Sequence, residues 1–252
     1  VDRPLDDPRL RFPRINAWRI ASQTERVETA FGTALSNGSH TYIQPEREGV
    51  GATFLLNRLA GQFNHYQRMY SRTPKRVVWI SLASRQNGPG KLLDLIGHAI
   101  HCPITGTDLR LRAFPRVMAM LLEHATQLGI VGMIVDHIDH ASPDTLRNLA
   151  DVAQLTDSSN RAALQLGGRL IDAPPIAMIF VGTTPPETLA DMAPTLVTAI
   201  GPSGAAMNAL STVSEIDDAV AAAVPELYKR RGAGWTSVCA ELLDYTRGLA
   251  AF

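Results

Sequence analysis

An open α/β fold, with a mostly parallel sheet and helices on both faces, is what this sequence predicts. Three observations carry that expectation. Apolar runs of strand length alternate with helical stretches from Ser22 to Ala193. Three of those runs, "RVVWISLA", "IVGMIVDHID" and "IAMIFVGTT", are largely apolar, which suits strands covered on both faces. A short strand also passes through a glycine-bearing loop straight into a helix.

The elements follow in order. Ser22 and Glu25 have capping-box spacing, and Val27, Ala30, Phe31, Ala34 and Leu35 recur at helical intervals until "SNGSH" breaks the helix. "TYIQ" is a short strand, and the loop after it opens a helix from about Thr53 through Tyr66. "RVVWISLA" is the next strand, and Pro89 can open the helix that carries Leu92, Leu93, Leu95 and Ile96. Pro115 opens "RVMAMLLEHATQLG", whose glycine precedes the strand "IVGMIVDHID". Ser142 is an N-cap with Pro143 at the first helical position of "SPDTLRNLADVAQL". "IAMIFVGTT" reads as the last clear strand. After Ala193 the texture changes, through "GPSGAA", to two helices, Val213 to Val224 and Trp235 to Leu249, which read as a small C-terminal helical lid. The expected organisation is an extension over 1–21, an α/β core over 22–193 and the lid over 194–252.

Composition narrows the function classes. With 252 residues, 45% apolar and 19% charged, the chain has the make-up of a soluble globular protein with one full core. No run approaches the roughly 18–20 apolar residues of a membrane span, and the charged start "VDRPLDDPRLRF" is not signal-like, so a cytoplasmic protein is expected. A net charge of zero excludes a globally basic nucleic-acid footprint. Basic residues do gather locally, at Arg3, Arg9, Arg11, Arg14 and Arg19, and again in "HYQRMYSRTPKR". There Arg68, Arg72, Lys75 and Arg76 interleave with Tyr66 and Tyr70, which suits duplex DNA contacts with some stacking; the plain alternative is a solvated helix end. Cys102 and Cys239 match no metal or redox spacing, and no nucleophile elbow or triad order is present.

The chemistry concentrates in "IQPEREGVGATFLLNRLA". A phosphate-binding loop has the form G-x-x-x-x-G-K-[ST]: backbone N–H groups cradle the phosphates, lysine neutralises them, and the hydroxyl holds magnesium. Aligned on "GVGAT", Gly49, Gly51 and Thr53 are in place around Val50. Glu46 stands where the first glycine belongs and Ala52 where the lysine belongs. Further along, the strand "IVGMIVD" ends in Asp136, at the place of a magnesium-orienting aspartate, with His137 where a hydrolytic site has glutamate. The strand "IAMIFVG" delivers Thr183 and Thr184 to the same edge, where ligands of open α/β sheets sit.

Taken together, "GVGAT", "RVVWISLASRQNGPGKLLDLIGHAI", "MIVDHIDHASPDTLRNLADVAQL" and "IAMIFVGTTPPETLADM" resemble the AAA+ ATPases of DNA transposition, the TnsC, TniB and MuB group. The similarity covers roughly Ser22 to Ala193. It implies a P-loop NTPase fold that binds ATP or ADP with magnesium, ring or filament assembly on DNA, and a link between target selection and the transposase. Partners implied are a transposase, a target-recognition protein or an intact AAA+ ATPase. An arginine reaching into a neighbouring subunit's site is also expected of such rings, with Arg161 and Arg169 as candidates.

The departures decide what carries over. Losing a charged phosphate contact at Ala52 removes about 1.5–3 kcal/mol, roughly ten- to more than a hundredfold in affinity. A carboxylate at Glu46 adds repulsion, and His137 lacks glutamate's geometry and fixed charge. A degenerate ATPase acting as a DNA-associated adaptor is therefore expected. Two rival readings are an active ATPase in which Arg47 replaces the lysine, and a nucleotide-independent scaffold on the same fold. "DHIDH" also offers Asp136, His137, Asp139 and His140 as metal ligands, with His98 and His101 as a second half-site; plain loop and helix residues are the simpler reading.

Overall fold

The computed structural model describes residues 21–48, 50–82, 89–102, 114–157, 165–166, 169–170, 175–209, 213–223, 229 and 232–246. Except for Ala21, the expected N-terminal extension lies outside them. In chain order the helices are α1 (Ala21–Asn37), α2 (Ala52–Tyr70), α3 (Pro89–Ala99), α4 (Phe114–Gln127), α5 (Pro143–Thr156), α6 (Pro186–Met192), α7 (Pro194–Ile200), α8 (Val213–Ala223) and α9 (Trp235–Thr246). The strands are β1 (Thr41–Pro45), β2 (Arg76–Ser81), β3 (Ile130–Asp136), the short antiparallel pair β4 (Gln165–Leu166) and β5 (Arg169–Leu170), β6 (Ala177–Val181) and β7 (Gly204–Met207).

Five strands form one parallel sheet in the order β2-β3-β6-β1-β7. Alternation along each strand splits the core into two layers. Ile43, Ile134 and Ile179 face α1 and α2, where Phe31, Leu55, Leu56 and Leu59 are buried. Met133, Val135, Met178 and Phe180 face the opposite layer, built from α3, α4 and α5 with Leu92, Ile96, Leu121 and Leu149. Helices thus cover both faces, as the apolar texture of these strands requires.

Local chemistry explains the boundaries. Ser142 caps α5, its hydroxyl accepting from the Thr145 N–H at 3.2 Å, with Pro143 in the first turn. The α2 helix starts at Ala52, one residue before the expected position, and continues past Tyr66 to Tyr70. Near its far end Asn64 clamps the edge strand β2: its carbonyl accepts from the Val77 N–H at 2.7 Å and its amide donates to the Val77 carbonyl at 2.9 Å.

The sheet does not end with β6, as the sequence suggested. "GPSGAA" contributes β7, parallel to β1 with Tyr42 opposite Gly204 and Pro45 opposite Met207. Gly-Ala-Ala-Met has no β-branched or aromatic residue, so neither propensity nor periodicity marks it. It is a strand because Glu46 N–H donates to the Met207 carbonyl at 2.7 Å and Tyr42 N–H to the Ser203 carbonyl at 3.2 Å. The α8 and α9 helices pack on each other, with the Trp235 indole N–H donating to Asp217.

His40, just before β1, is a buried polar staple that no sequence pattern marks. Its Nδ1 accepts from the Met178 N–H at 3.1 Å, which leaves Nε2 as donor to the Ala153 carbonyl at 2.8 Å. One imidazole thereby ties β6 to the end of α5. Burial holds its pKa below the ordinary 6.5, against the opposing pull of the Ala153 carbonyl and Asp157. The unfolded chain therefore binds the extra proton first, and stability falls as pH drops below 6.5 toward the folded-state value. His40→Ala leaves the Met178 N–H buried without its partner and is expected to cost about 1–3 kcal/mol in urea unfolding at pH 7.5. The wild type should lose part of that margin at pH 5.5, and the variant should lose less.

Candidate functional site

The carboxyl ends of β1, β3 and β6 meet at a cleft of about 530 Å³, within the usual range for small-molecule sites. β1 enters the loop at Pro45. Arg47, Glu48, Val50, Gly51, Ala52 and Thr53 line the cleft from that side, with Asp136, His137 and Asp139 from β3 and its following turn, and Gly182 and Thr183 from β6. Gly51 caps α2 in the left-handed region (φ 94°), where glycine carries no Cβ penalty. The loop then turns directly into the helix, whose first N–H groups are free of intrahelical partners.

Thr53 and Asp136 are brought together. The Thr53 hydroxyl donates to Asp136 Oδ2 at 2.9 Å, and the His137 N–H donates to Oδ1 at 2.9 Å. Asp136 is only 2% exposed. Burial, above all, raises its pKa from the ordinary 3.8; Asp139 adds to the rise, while Thr53 and His137 oppose it. A hydroxyl and a carboxylate oxygen at the mouth of a helix suit the hard-oxygen ligation of magnesium. Thr53 and Asp136 are thus the residues that would hold a nucleotide's metal ion, which would neutralise phosphate charge there.

His137 closes the end of β3 in a left-handed conformation (φ 60°, ψ 45°), uncommon outside glycine. Its Nδ1 lies 3.3 Å from Asp136 Oδ2 and 3.4 Å from the Ser81 hydroxyl. That nitrogen is engaged by the neighbouring carboxylate, so the ring is not the freely placed base that a glutamate would supply. The ring stacks on His140 at 5.5 Å, and His140 Nε2 lies 3.7 Å from Glu48 of the loop.

Asp139 gives the turn its shape. Its Oδ2 accepts from the Thr183 hydroxyl at 3.3 Å, and its buried Oδ1 has no hydrogen-bond partner among the described residues. A Cβ at position 182 would sit 2.0 Å from that Oδ1, so any residue but Gly182 would have to push the Asp139 carboxylate aside. From below, the Tyr42 hydroxyl lies 2.6 Å from the Gly182 carbonyl and 2.7 Å from that of Thr184, a donor shared by two acceptors. Burial, reinforced by Asp139, pushes the phenol's pKa up, so it stays protonated.

Not every expected residue reaches the cleft. Glu46 is exposed and turned toward β7, where its Oε2 accepts from the Ala209 N–H at 2.7 Å. The repulsion expected from Glu46 therefore falls away, because a neighbouring amide holds that carboxylate. Thr184 does not line the cleft; its carbonyl serves Tyr42 instead. Gly49 and Arg161 lie outside the described residues, and Arg169 is placed only as part of β5. Phe54 and Asn57, one helical turn apart on α2, line the rim and were not anticipated. Their only sequence signal was position just inside the helix start.

Arg68, Arg72, Lys75 and Arg76 are all exposed at the far end of α2 and the start of β2, the edge of the sheet opposite the cleft. Tyr70 beside them is 73% exposed, with its ring 4.8 Å from that of Tyr66. Among the described residues no three His, Cys, Asp or Glu side chains are grouped to hold a metal ion, and His98 faces Asp94 at 3.5 Å. No described helix is long and apolar enough to cross a membrane.

A parallel sheet that delivers a glycine turn, a threonine-aspartate pair and a polar turn to one cleft is the P-loop NTPase architecture, in its AAA+ form. Solved structures agree. The chain superposes on Cdc6p from Pyrobaculum aerophilum with a TM-score of 0.60 at 18% identity, covering 100% of this chain and 62% of that one. It matches the ORC2 protein of Aeropyrum pernix, solved as ADPNP-ADP complexes, with a TM-score of 0.58 at 13% identity over 85% of this chain and 56% of that one. The ORC1 protein of the same organism, solved with DNA, gives 0.53 at 16% identity over 89% and 54%. The chain thus spans little more than half the length of these neighbours. No protein-family model and no curated protein matches the sequence.

One pH effect follows from Asp136. Because its folded-state pKa is raised, its contribution to stability is fully present below 3.8 and is lost as pH rises through the folded value. Asp136→Asn should therefore raise the thermal midpoint at pH 7, and the gain should shrink on acidification toward pH 4.

Proposed function

We propose that this chain is a catalytically degenerate AAA+ regulator of DNA transposition, an adaptor that works through DNA and partner proteins rather than by ATP turnover. The observation that carries this reading is the charge of the cleft. Glu48, Asp136 and Asp139 are acidic, and Arg47 is the one permanent cation among the described residues lining it. Ala52, at the lysine position, is 4% exposed and packs in the core with Val50 and Leu56. A polyphosphate entering here meets helix N–H groups but little neutralising charge. Nucleotide binding is accordingly weak or absent, and hydrolysis lacks the glutamate that would activate water.

The DNA half of the reading is supported by the exposed basic and tyrosine-bearing patch at the far end of α2, and by an ORC1 neighbour solved with DNA. The resemblance to the TnsC, TniB and MuB group supplies the partners: a transposase, a target-recognition protein or an intact AAA+ ATPase sharing a homo- or hetero-oligomeric ring. Arg161 and Arg169 stay candidates for a contact between subunits.

A second reading keeps the site active with Arg47 in the lysine's role. It is favoured by one observation: Arg47 lines the cleft and its buried Nε has no hydrogen-bond partner among the described residues. Calorimetric titration with a non-hydrolysable ATP analogue and magnesium separates the two. On the adaptor reading Ala52→Lys tightens binding roughly ten- to a hundredfold, while Arg47→Ala changes it little. A large loss in Arg47→Ala would favour the rescued site. Metal-dependent turnover well above that of Asp136→Ala would sink the degenerate reading.

The DNA surface has its own test. Duplex affinity should fall steeply with salt, and Arg68→Ala or Arg72→Ala should weaken it and lower the logarithmic salt slope by about one per phosphate no longer neutralised. Unchanged slopes would remove this patch from the interface.

A further inference from the structure

Charge is distributed unevenly along the chain, and the far end of α2 lies in its most one-sided stretch. From Gly49 to Leu93 the sequence has no aspartate or glutamate, so α2, its connection to β2 and β2 itself carry only positive formal charge. Among the described residues none of Arg68, Arg72, Lys75 and Arg76 forms an ion pair. Four cations are therefore left for an external polyanion.

The connection that carries them is firmly held. Gln67, buried in the last turns of α2, anchors it twice: its carbonyl accepts from the Ser71 N–H at 3.0 Å and its side-chain oxygen from the Lys75 N–H at 3.2 Å. Beyond it, the Arg76 N–H donates to the Gly129 carbonyl at 2.8 Å. The Pro74 carbonyl packs so closely there that a Cβ at position 129 would sit 2.7 Å from it. The chain from Ser71 to Arg76 is thus folded back beside the last turn of α2, which carries Arg68.

That turn also presents surface of a different kind. Tyr70 is 73% exposed and Met69 60% exposed, and the Tyr66 ring lies 4.8 Å from that of Tyr70, tilted by 37°. A hydroxyl is enough to contact a phosphate. An open aromatic face suits a flat partner instead, and an unpaired base offers its own face, which a base inside a duplex keeps covered by its neighbours.

Magnitudes decide which form of DNA such a surface favours. Four neutralised phosphates give logarithmic salt slopes of about −3.6 on duplex and about −2.8 on a single strand, so electrostatics alone favour the duplex. The difference amounts to only about sixfold for each tenfold dilution of salt. A base stacked on an aromatic ring contributes roughly five- to a hundredfold in affinity, and only on the unpaired strand. On the DNA-associated role proposed above, on which this inference rests, we propose that the α2 end binds an unpaired DNA strand in preference to intact duplex. Tyr70, backed by Tyr66, stacks a base while the flanking cations hold the phosphates.

Fluorescence anisotropy on the full chain tests this with three probes: a labelled unstructured oligodeoxynucleotide, its duplex with the complement, and the RNA strand of the same sequence. The single DNA strand should bind more tightly than the duplex, and its advantage should widen by about sixfold for each tenfold rise in salt. Tyr70→Ala should weaken single-strand binding roughly five- to a hundredfold and leave duplex binding within about twofold. Tyr70→Phe should keep the wild-type preference, and Arg72→Ala should weaken both forms. Duplex binding as tight as single-strand binding would overturn the inference and leave the DNA role standing. So would a Tyr70→Ala loss that is equal on both forms or absent, or a Tyr70→Phe loss as large as that of Tyr70→Ala, which would assign the hydroxyl to a phosphate. Tighter binding of the RNA would overturn the assignment to DNA, and binding of neither DNA form would overturn the DNA role as well.

Discussion

The site depends on a strand that cannot reach water. Every residue of β6 is buried, it lies between β1 and β3, and layers of helix cover both its faces. Backbone groups so enclosed must find partners, which the parallel neighbours on both sides supply together with the His40 ring at the Met178 N–H. The registers then leave no freedom: Ile43 lies beside Val181, and Val135 beside Phe180. The ends of three strands consequently arrive together, and the loop after β1, the aspartate after β3 and the turn after β6 must share one cleft. The cleft is a product of burial before it is a product of chemistry.

What fills the cleft follows a different logic. The oxygen pair at Thr53 and Asp136 is intact, whereas neutralising charge and a free base are missing from the places where the motif expects them. Glu46 illustrates how context changes the meaning of a residue. Read in isolation it opposes phosphate; in the fold it fastens the start of the loop to the chain beyond β7 through the Ala209 amide. Asp139, by contrast, brings a carboxylate into the site and so close to the turn after β6 that a side chain at 182 would have to displace it. The cleft therefore joins the threonine–aspartate oxygen pair to a lining in which Glu48, Asp136 and Asp139 stand beside Arg47.

Much of this was legible in the residues. The apolar β-branched runs announced β2, β3 and β6, and Ser142-Pro143 announced the start of α5, because these signals are local. The order of glycine turn, aspartate and threonine turn along the chain was enough to bring Thr53, Asp136 and Thr183 to one place. β7 was not legible, since its small residues become a strand only through pairing with β1. Nor was the role of His40, which depends on a carbonyl and an amide more than a hundred positions away. The same reason hid the turning away of Glu46 and the pairing of Glu48 with His140. Such contacts are decided by tertiary geometry, which a single sequence does not spell out.

Tyr42 has a place on two surfaces. Its ring forms part of the wall of an apolar groove beneath the β7 edge, while its hydroxyl holds the carbonyls of Gly182 and Thr184 at the rim of the cleft. The ring is rigid, so hydroxyl and ring edge cannot move independently. One buried phenol thus borders the margin of the sheet at its ring and the central pocket at its hydroxyl.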